Sequence, residues 1–323
     1  MNALSPLLEA EGLIPPDAQL TRVATGATWS EGPCWIPDAG VLRWSDIHGD
    51  RILQYAPSAE DPARGETSEH RRGVEFTNGR TWHPEGYVVQ CSHGLRRVET
   101  ERDGTVEPLV DSWEGVRLNS PNDVVVDGDG SVWFTDPHYG LTSPGEGHPG
   151  EMEYGACYVF RFDPGTGRAE PVVTDMEEPN GLAFSPDGSI LYVADSSAVR
   201  RPEGVGNRHV RAYRVERGED VQRGDGGEGT VRCTAGRTLF EIPAGIPDGL
   251  RVDQAGRIWC SAADGVHVCT PEGEHLGHLP VPEMVANLCF GGEDGMDLYI
   301  AATTSIYHLR VTVRDAAWER TVA

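Results

Sequence analysis

The sequence predicts an all-β protein: a single six-bladed β-propeller over residues 1–323, with residues 1–20 as an N-terminal extension that packs on it. Three observations predict this fold. Short apolar runs bounded by Gly, Pro and Asp recur along the chain, helix-period patterns are scarce, and one unit is repeated six times. A helix-like pattern is found only around Leu7 to Leu13.

The six repeated units share one form. Each has a short lead-in, an apolar strand, a tight turn with Asp, Glu or Gly, and a second strand; a third strand follows most copies. A blade cannot bury both of its faces alone, so the copies must stack around an axis. Residues 141–155 and 216–229 are predicted to be loops, and no linker divides the chain. The units lie roughly 40 to 70 residues apart and begin at Ser30, Thr77, Pro121, Pro179, Pro247 and Ala286.

Composition excludes several classes of protein. A formal charge of −24 argues against nucleic acid or an anionic membrane surface as a partner. No apolar run is long enough to cross a bilayer, and no signal peptide is apparent. Seven cysteines without CxxC spacing are typical of a reduced, cytoplasmic protein. The sequence gives no indication of oligomeric state.

Common catalytic signatures are absent from the sequence. The chain has no lysine, which excludes a Walker A phosphate loop and Schiff-base chemistry. It also contains no GxSxG elbow, no HExxH and no GxGxxG between a strand and a helix. The chemistry must therefore come from another arrangement of side chains.

The second residue of each repeat carries a side-chain oxygen, and rotational symmetry should gather these six ring residues at one mouth of the central channel. Four of the seven asparagines of the chain belong to this set. One alternative is that they only form entry turns, as Asn180-Gly181 suggests; Glu31 is a poor turn former and does not fit it. The ring residues are Glu31, Asn78, Asn122, Asn180, Asp248 and Asn287.

A ring of convergent oxygens favours a hard divalent cation such as Ca²⁺, Mg²⁺ or Mn²⁺. Glu31 and Asp248 would neutralise the ion, while Asn122 and Asn180 would leave positions open for water and substrate. Such an ion can polarise a carbonyl or phosphoryl oxygen and lower the pKa of water. The sequence therefore predicts a metal site on the propeller axis.

Five motifs span nearly the whole chain: SEGPCW, RLNSPNDVVV, EPNGLAFSPDG, GIPDGLRVD and ANLCFGG. Together they resemble the SMP-30/gluconolactonase/LRE family of six-bladed propellers. The RLNSPND form and the TNG…CSHG segment are most similar to its bacterial gluconolactonase branch. The resemblance implies Glu31, Asn180 and Asp248 as metal ligands and Asn122 as a residue facing both metal and substrate. In the regucalcin branch an Arg precedes that Asn by two residues; in this chain the position is Ser120, and Arg117 is the candidate replacement.

The resemblance implies a metal-dependent lactonase that opens an aldonolactone such as gluconolactone. Ca²⁺ is the expected ion, with Zn²⁺, Mn²⁺, Mg²⁺ and Fe²⁺ as alternatives. The metal would hold the lactone carbonyl oxygen, and Asp248 would act as general base or hold a water that the metal activates. His93, Tyr139 and Asn78 join Asn122 and Arg117 as candidate substrate-binding residues.

The sequence leaves three other functions open. The same site could hydrolyse a P–F or P–O bond, as in the fluorophosphatase relatives of the family. The propeller could bind calcium without catalysis. The fold could also serve another metal-assisted reaction of a biosynthetic pathway.

Overall fold

Six four-stranded antiparallel sheets surround a central channel, which confirms the predicted six-bladed β-propeller. The structure, a computed structural model, describes residues 4–218 and 231–321. In five of the sheets the strands follow chain order from the innermost strand outward; in the sixth, the outermost strand comes from the N-terminal part of the chain. The innermost strands of successive blades contact one another, and that of the sixth contacts that of the first, so the ring is closed.

Each blade contains four strands, ordered from the channel outward. Blade 1 contains Ser30–Ile36, Val41–Asp46, Arg51–Pro57 and Gly65–Arg72. Blade 2 contains Thr77–His83, Tyr87–Ser92, Arg97–Arg102 and Thr105–Val110. Blade 3 contains Val124–Val126, Val132–Asp136, Tyr158–Asp163 and Arg168–Val173. Blade 4 contains Pro179–Phe184, Ile190–Asp195, His209–Arg217 and Val231–Glu241. Blade 5 contains Leu250–Val252, Ile258–Ala262, Gly265–Cys269 and His275–Pro280. Blade 6 contains Val285–Gly291, Asp297–Ala302, Ser305–Arg310 and, outermost, Thr21–Thr25.

The sixth blade joins the two ends of the propeller sequence. Its outermost strand, Thr21–Thr25, pairs antiparallel with Ser305–Arg310, with Thr21 opposite His308. Backbone hydrogen bonds therefore hold the first strand of the chain to its last blade. Closing the ring in this way leaves each blade packed between two neighbours.

Helices are few and short. The expected N-terminal helix is Pro6–Ala10, and Leu8, Leu13 and Ile14 from this part of the chain pack into the core between blades 5 and 6. A 3₁₀ turn covers Pro37–Ala39, further helices are Tyr139–Thr142 and Trp318–Thr321, and a small hairpin pairs Ser112–Trp113 with Val116–Arg117.

Two segments predicted as loops need correction. Residues 141–155 begin inside the helix Tyr139–Thr142, so the loop starts after it. The segment 216–229 begins with Glu216 and Arg217, which are the last two residues of the strand His209–Arg217. Residues 219–229 of this segment lie outside the described residues. The sequence pattern does not predict the end of this long strand, because its charged side chains hide the apolar alternation.

The hydrophobic core is divided into clusters that lie between neighbouring blades. Leu191 and Val193 pack between blades 3 and 4, whereas Tyr192 and Ala194, on the same strand, pack between blades 4 and 5. Successive residues of a strand point to opposite faces of its sheet. Because both faces of a blade are covered, its inner strands are mostly buried, and their apolar runs make the repeats visible in the sequence.

No helix within residues 4–218 and 231–321 has the length and apolar character needed to cross a bilayer. The seven cysteines all lie in these ranges and form no disulfide; six are buried and Cys233 is partly buried.

Candidate metal and substrate site

The six ring residues all lie where an innermost strand begins. Glu31, Asn78, Asn180 and Asn287 are in the first residues of their strands, and Asn122 and Asp248 each precede a strand by two residues. Five of the six are buried, while Asp248 is partly buried. The repeated register of the blades is therefore what brings residues distant in sequence to one level of the channel.

One cavity of about 480 Å³ collects most of the predicted site residues. This volume lies in the usual range for a small-molecule site. Asn287 does not line it; its Nδ2 donates a hydrogen bond to Oε2 of Glu31 at 3.2 Å, so it supports the ring from behind. The predicted residues that line the cavity are Glu31, Asn78, Asn122, Tyr139, Asn180 and Asp248.

The Asn-Gly and Asp-Gly pairs of the ring are not turns, which corrects the interpretation of Asn180-Gly181 as one. Asn180 lies inside the strand Pro179–Phe184, and no ring residue has a positive φ. The glycines are needed for space. A Cβ atom on Gly79 would lie 2.5 Å from the carbonyl oxygen of Asn122 in the next blade, and one on Gly249 would lie 2.1 Å from Oδ1 of Asn287.

Glu31 is buried and Asp248 is partly buried, and neither ring carboxylate has a positive partner among the described residues. Burial raises the pKa of Glu31 to about 7. Burial, followed by the charge of Glu31, raises the pKa of Asp248 well above its usual value, although Asn180 donates a hydrogen bond to it. No Arg or His within the described ranges forms an ion pair with either carboxylate. A cation bound between the two carboxylates would therefore stabilise their charged forms.

The residues present fit a hard divalent cation. Carboxylate and amide oxygens are its preferred ligands. Oδ1 of Asn78 is buried and has no hydrogen-bond partner among the described residues, so the ring also contains an unused oxygen. The residues that could hold the ion are Glu31, Asn122, Asn180 and Asp248, with Asn78 beside them.

Asp123 is a third buried carboxylate that sequence reasoning missed. It is 1% exposed, burial raises its pKa, and Arg251 is its ion-pair partner, with Nη1 3.8 Å from Oδ2. Its charge also contributes to the raised pKa of Glu31. A signal existed: Asp123 follows a ring residue at the position where four other repeats have glycine.

His93 connects the ring to a surface loop. Nδ2 of Asn78 lies 3.2 Å from Nε2 of His93, and Nδ1 of His93 lies 2.9 Å from the carbonyl oxygen of Glu146. A neutral ring with its proton on Nδ1 satisfies both contacts, and burial lowers the pKa of His93. His93 therefore does not face the cavity directly; it orients Asn78.

Glu146 was also missed by sequence reasoning, although it lies in the predicted loop 141–155. Its carboxylate lines the cavity, and Oε1 accepts a hydrogen bond from Nη2 of Arg200 at 2.7 Å. Arg200 and Arg208 line the same cavity from the segment that follows blade 4's second strand. The rim thus combines an acidic and two basic side chains.

The remaining predicted substrate contacts differ in outcome. Tyr139 lines the cavity, and its buried hydroxyl has no hydrogen-bond partner among the described residues. Arg117 does not line the cavity, because it lies on the small outer hairpin, where Nη2 donates to the carbonyl oxygen of Leu95 at 3.3 Å.

A second cavity lies further along the innermost strands. Its volume is about 110 Å³, and it is lined by the buried Arg80 and Arg251 together with Asp315 and Trp318 from the C-terminal segment. No ring residue lines it. The ring cavity and this cavity are therefore separate sites with opposite local charge.

Residues 29–304 match the family described as the SMP-30/Gluconolactonase/LRE-like region. A gluconolactonase of Zymomonas mobilis is 30% identical, with 96% of this chain and 85% of the relative covered. A pentonolactonase of Haloferax volcanii is 31% identical over 87% of this chain and 84% of the relative. A solved gluconolactonase structure from Xanthomonas campestris has a TM-score of 0.80 at 32% identity, with 94% of this chain and 93% of that chain covered. The chain belongs to the SMP-30/gluconolactonase/LRE-like family.

Proposed function

We propose that this protein is a metal-dependent lactonase that hydrolyses a sugar lactone, an aldonolactone such as gluconolactone, to its aldonic acid. One observation carries the proposal: two uncompensated carboxylates, Glu31 and Asp248, share a cavity of sugar size with amide side chains. The lactonase names of similar proteins support the choice of substrate.

Glu31, Asn122, Asn180 and Asp248 would hold the ion, for which Ca²⁺ is the first candidate because every donor is oxygen. When bound, a divalent cation polarises the lactone carbonyl oxygen and stabilises the charge that develops on it. Asn287 holds the carboxylate of Glu31 in place, and Asn180 does the same for Asp248 through its side-chain hydrogen bond. These contacts orient the two carboxylates before substrate arrives.

Asp248 is the residue placed to handle the proton of the attacking water. Hydrolysis forms a bond between the water oxygen and the carbonyl carbon, breaks the ring C–O bond, and leaves one proton in solution at neutral pH. Asp248 keeps some solvent contact in the cavity wall, so water can reach its carboxylate. A carboxylate in that position can orient the water and accept its proton.

The hydroxyl groups of a sugar lactone need partners in the cavity wall. The Tyr139 hydroxyl and Oδ1 of Asn78 are both without hydrogen-bond partners among the described residues, so they are available to a substrate as donor and acceptor. Glu146 and Arg200 form an ion pair at the rim, where they add a hydrogen-bond acceptor and a donor for the substrate. This arrangement favours a small, hydroxyl-rich ligand over an apolar ester.

A pH-indicator assay tests the proposal with gluconolactone, xylonolactone and several other lactones. Activity should disappear in EDTA and return when at least one divalent ion is added back. Arg117→Ala serves as a control, because Arg117 lies outside the cavity, and its kcat/KM should match the wild-type protein. A metal-saturated protein that hydrolyses no lactone would show that the site binds an ion without catalysis.

A further inference from the structure

Blade 5 carries a second group of metal-ligating side chains, separate from the ring. Asp264, His267 and His278 each offer one ligand atom, and these atoms all lie within 4.8 Å of one another. None of the three lines the ring cavity. From this group we infer that the protein has a second metal site, selective for a zinc-like transition ion and formed by Asp264, His267 and His278.

Strand pairing in blade 5 brings the two histidines together. His267 lies on Gly265–Cys269 and is directly opposite His278 on His275–Pro280. Their rings are stacked with centroids 4.5 Å apart. Gly265 leaves room for this arrangement, because a Cβ atom there would lie 2.9 Å from Nε2 of His278.

Asp264 completes the group from the turn before these strands. Its Oδ1 is 3.0 Å from Nε2 of His267, and its Oδ2 is 3.6 Å from Nε2 of His278. Tetrahedral zinc, with bonds of about 2.1 Å, places its ligand atoms about 3.4 Å apart. One ligand atom from each of the three residues lies within 4.8 Å of the other two, so the three side chains would move closer together to share one ion.

Both histidines can present Nε2 to an ion while their rings stay neutral, because each ring can carry its proton on Nδ1. With its proton on Nδ1, His267 offers Nε2 to the ion and donates to Nε2 of His275, which lies 3.1 Å away. A partner for the second nitrogen is the usual support of a metal-bound histidine. Nε2 of His278, 3.0 Å from the carbonyl oxygen of Asp264, would exchange that contact for the ion.

Chemistry and access both favour a transition ion at this site. Two imidazoles and one carboxylate match Zn²⁺, Co²⁺ or Ni²⁺, whereas Ca²⁺ and Mg²⁺ prefer oxygen alone. The His267 side chain is 4% exposed, but those of His278 and Asp264 are 29% and 41% exposed, so an ion can enter from solvent. Asp264 follows Ala263, which lines the ring cavity, so an ion bound by Asp264 would restrain a segment of that cavity's wall.

Co²⁺ titration of the Ca²⁺-saturated full-length protein tests this inference, because Co²⁺ bound by nitrogen in a site of low coordination number absorbs visible light. We expect one Co²⁺ per chain, displaced by Zn²⁺, with affinity lowered at least tenfold in Asp264→Ala and in His278→Ala. These partly exposed positions are chosen because truncating the buried His267 could unfold the blade. His275→Ala should lower affinity about tenfold, since it removes only the support of His267.

His70→Gln is the matched control. His70 also contacts a carboxylate, with Nε2 3.0 Å from Oε1 of Glu101, but Arg71 occupies the same carboxylate. This variant should bind Co²⁺ like the wild-type protein, and so should Asp248→Asn, which alters only the ring. Absence of Co²⁺ binding to the Ca²⁺-saturated protein, or wild-type affinity in both cluster variants, would overturn the inference and leave the proposed lactonase activity untouched.

Discussion

A Cβ atom on Gly181 would lie 2.2 Å from the carbonyl oxygen of Asp248, although the two residues belong to different blades. The position after Asn180 is therefore restricted to glycine, because the ring residue of the neighbouring blade leaves no room for a side chain. The packing of neighbouring blades therefore also sets the positions of the proposed metal ligands. Gly32, Gly79 and Gly181 each lie against the backbone of the next ring residue.

Gly181→Ala should therefore damage both stability and the site. The backbone of Gly181 does not have a positive φ, so the cost comes from the clash with Asp248, which must move. We expect the free energy of unfolding to fall by about 1–3 kcal/mol and Ca²⁺ affinity to fall with it. Chemical denaturation and calorimetric titration measure the two effects.

Gly128→Ala is the comparison for that variant. Gly128 also lacks a positive φ, and a Cβ atom there would meet nothing within 4 Å. Its unfolding free energy should stay within about 0.5 kcal/mol of the wild-type value. Equal behaviour of the two variants would contradict the packing explanation.

Asp248→Asn should abolish turnover while the propeller stays folded. The amide keeps the size of the side chain but cannot accept the proton of water, so we expect kcat to fall about 100-fold or more. Without metal the variant should be at least as stable as wild type, because the amide avoids the cost of placing a second ionisable carboxyl group beside Glu31 in a buried site. The rise in Tm on adding Ca²⁺ should be lost.

Asp175→Asn controls for the same chemical change at an exposed position outside the cavity, where the carboxylate accepts from Tyr213. It should retain wild-type kinetics and the Ca²⁺-dependent rise in Tm. Wild-type turnover in Asp248→Asn would remove Asp248 from the proposed mechanism.

Ca²⁺ binding should strengthen as pH rises from about 6 to about 8. The pKa of Glu31 is raised to about 7 and that of Asp248 is raised well above its usual value, both chiefly by burial, so the metal-free ring holds protons that the ion must displace. Each displaced proton changes affinity up to about tenfold per pH unit. Calorimetry in two buffers of different ionisation enthalpy counts the released protons.

The metal-free protein should show the opposite trend in stability. An acid whose pKa is higher in the folded than in the unfolded state binds more protons when folded, so its contribution favours folding at low pH and is lost as pH rises. For Glu31 this loss falls between its ordinary value of 4.5 and about 7. Glu31→Gln should flatten the pH dependence of both binding and metal-free stability; an unchanged slope would show that Glu31 does not titrate in this range.

The ring could be predicted from the sequence because it is repeated. A side-chain oxygen at one register of six similar units, including Glu31 and Asp248, becomes a cluster as soon as the units are placed around an axis. The same symmetry made the blade number predictable. The error at Asn180-Gly181 arose because the pair is a strong local turn signal, and contact with the next blade overrides that preference.

The rim of the cavity could not be predicted in this way. Glu146 and Arg200 come from loops that occur once, and their meeting depends on the path of two segments 54 residues apart. Asp123 breaks the glycine pattern of the repeats and was therefore detectable as an exception. Arg117 was placed near the site by its distance in sequence from Asn122, but it lies on an outer hairpin that does not line the cavity.

His93 provides the last prediction, which separates a positioning role from a catalytic one. Nδ1 of His93 contacts the carbonyl oxygen of Glu146, and its Nε2 contacts Asn78. Its removal should therefore loosen the Asn78 side chain and the backbone of the loop that carries Glu146, and raise KM with little change in kcat. Burial lowers the pKa of His93, so the pH–rate profile should keep its shape in His93→Ala. His93→Gln, which restores an amide acceptor for Asn78, should recover part of the affinity. Loss of kcat together with the disappearance of a titrating limb from the profile would instead make His93 a proton-transfer group.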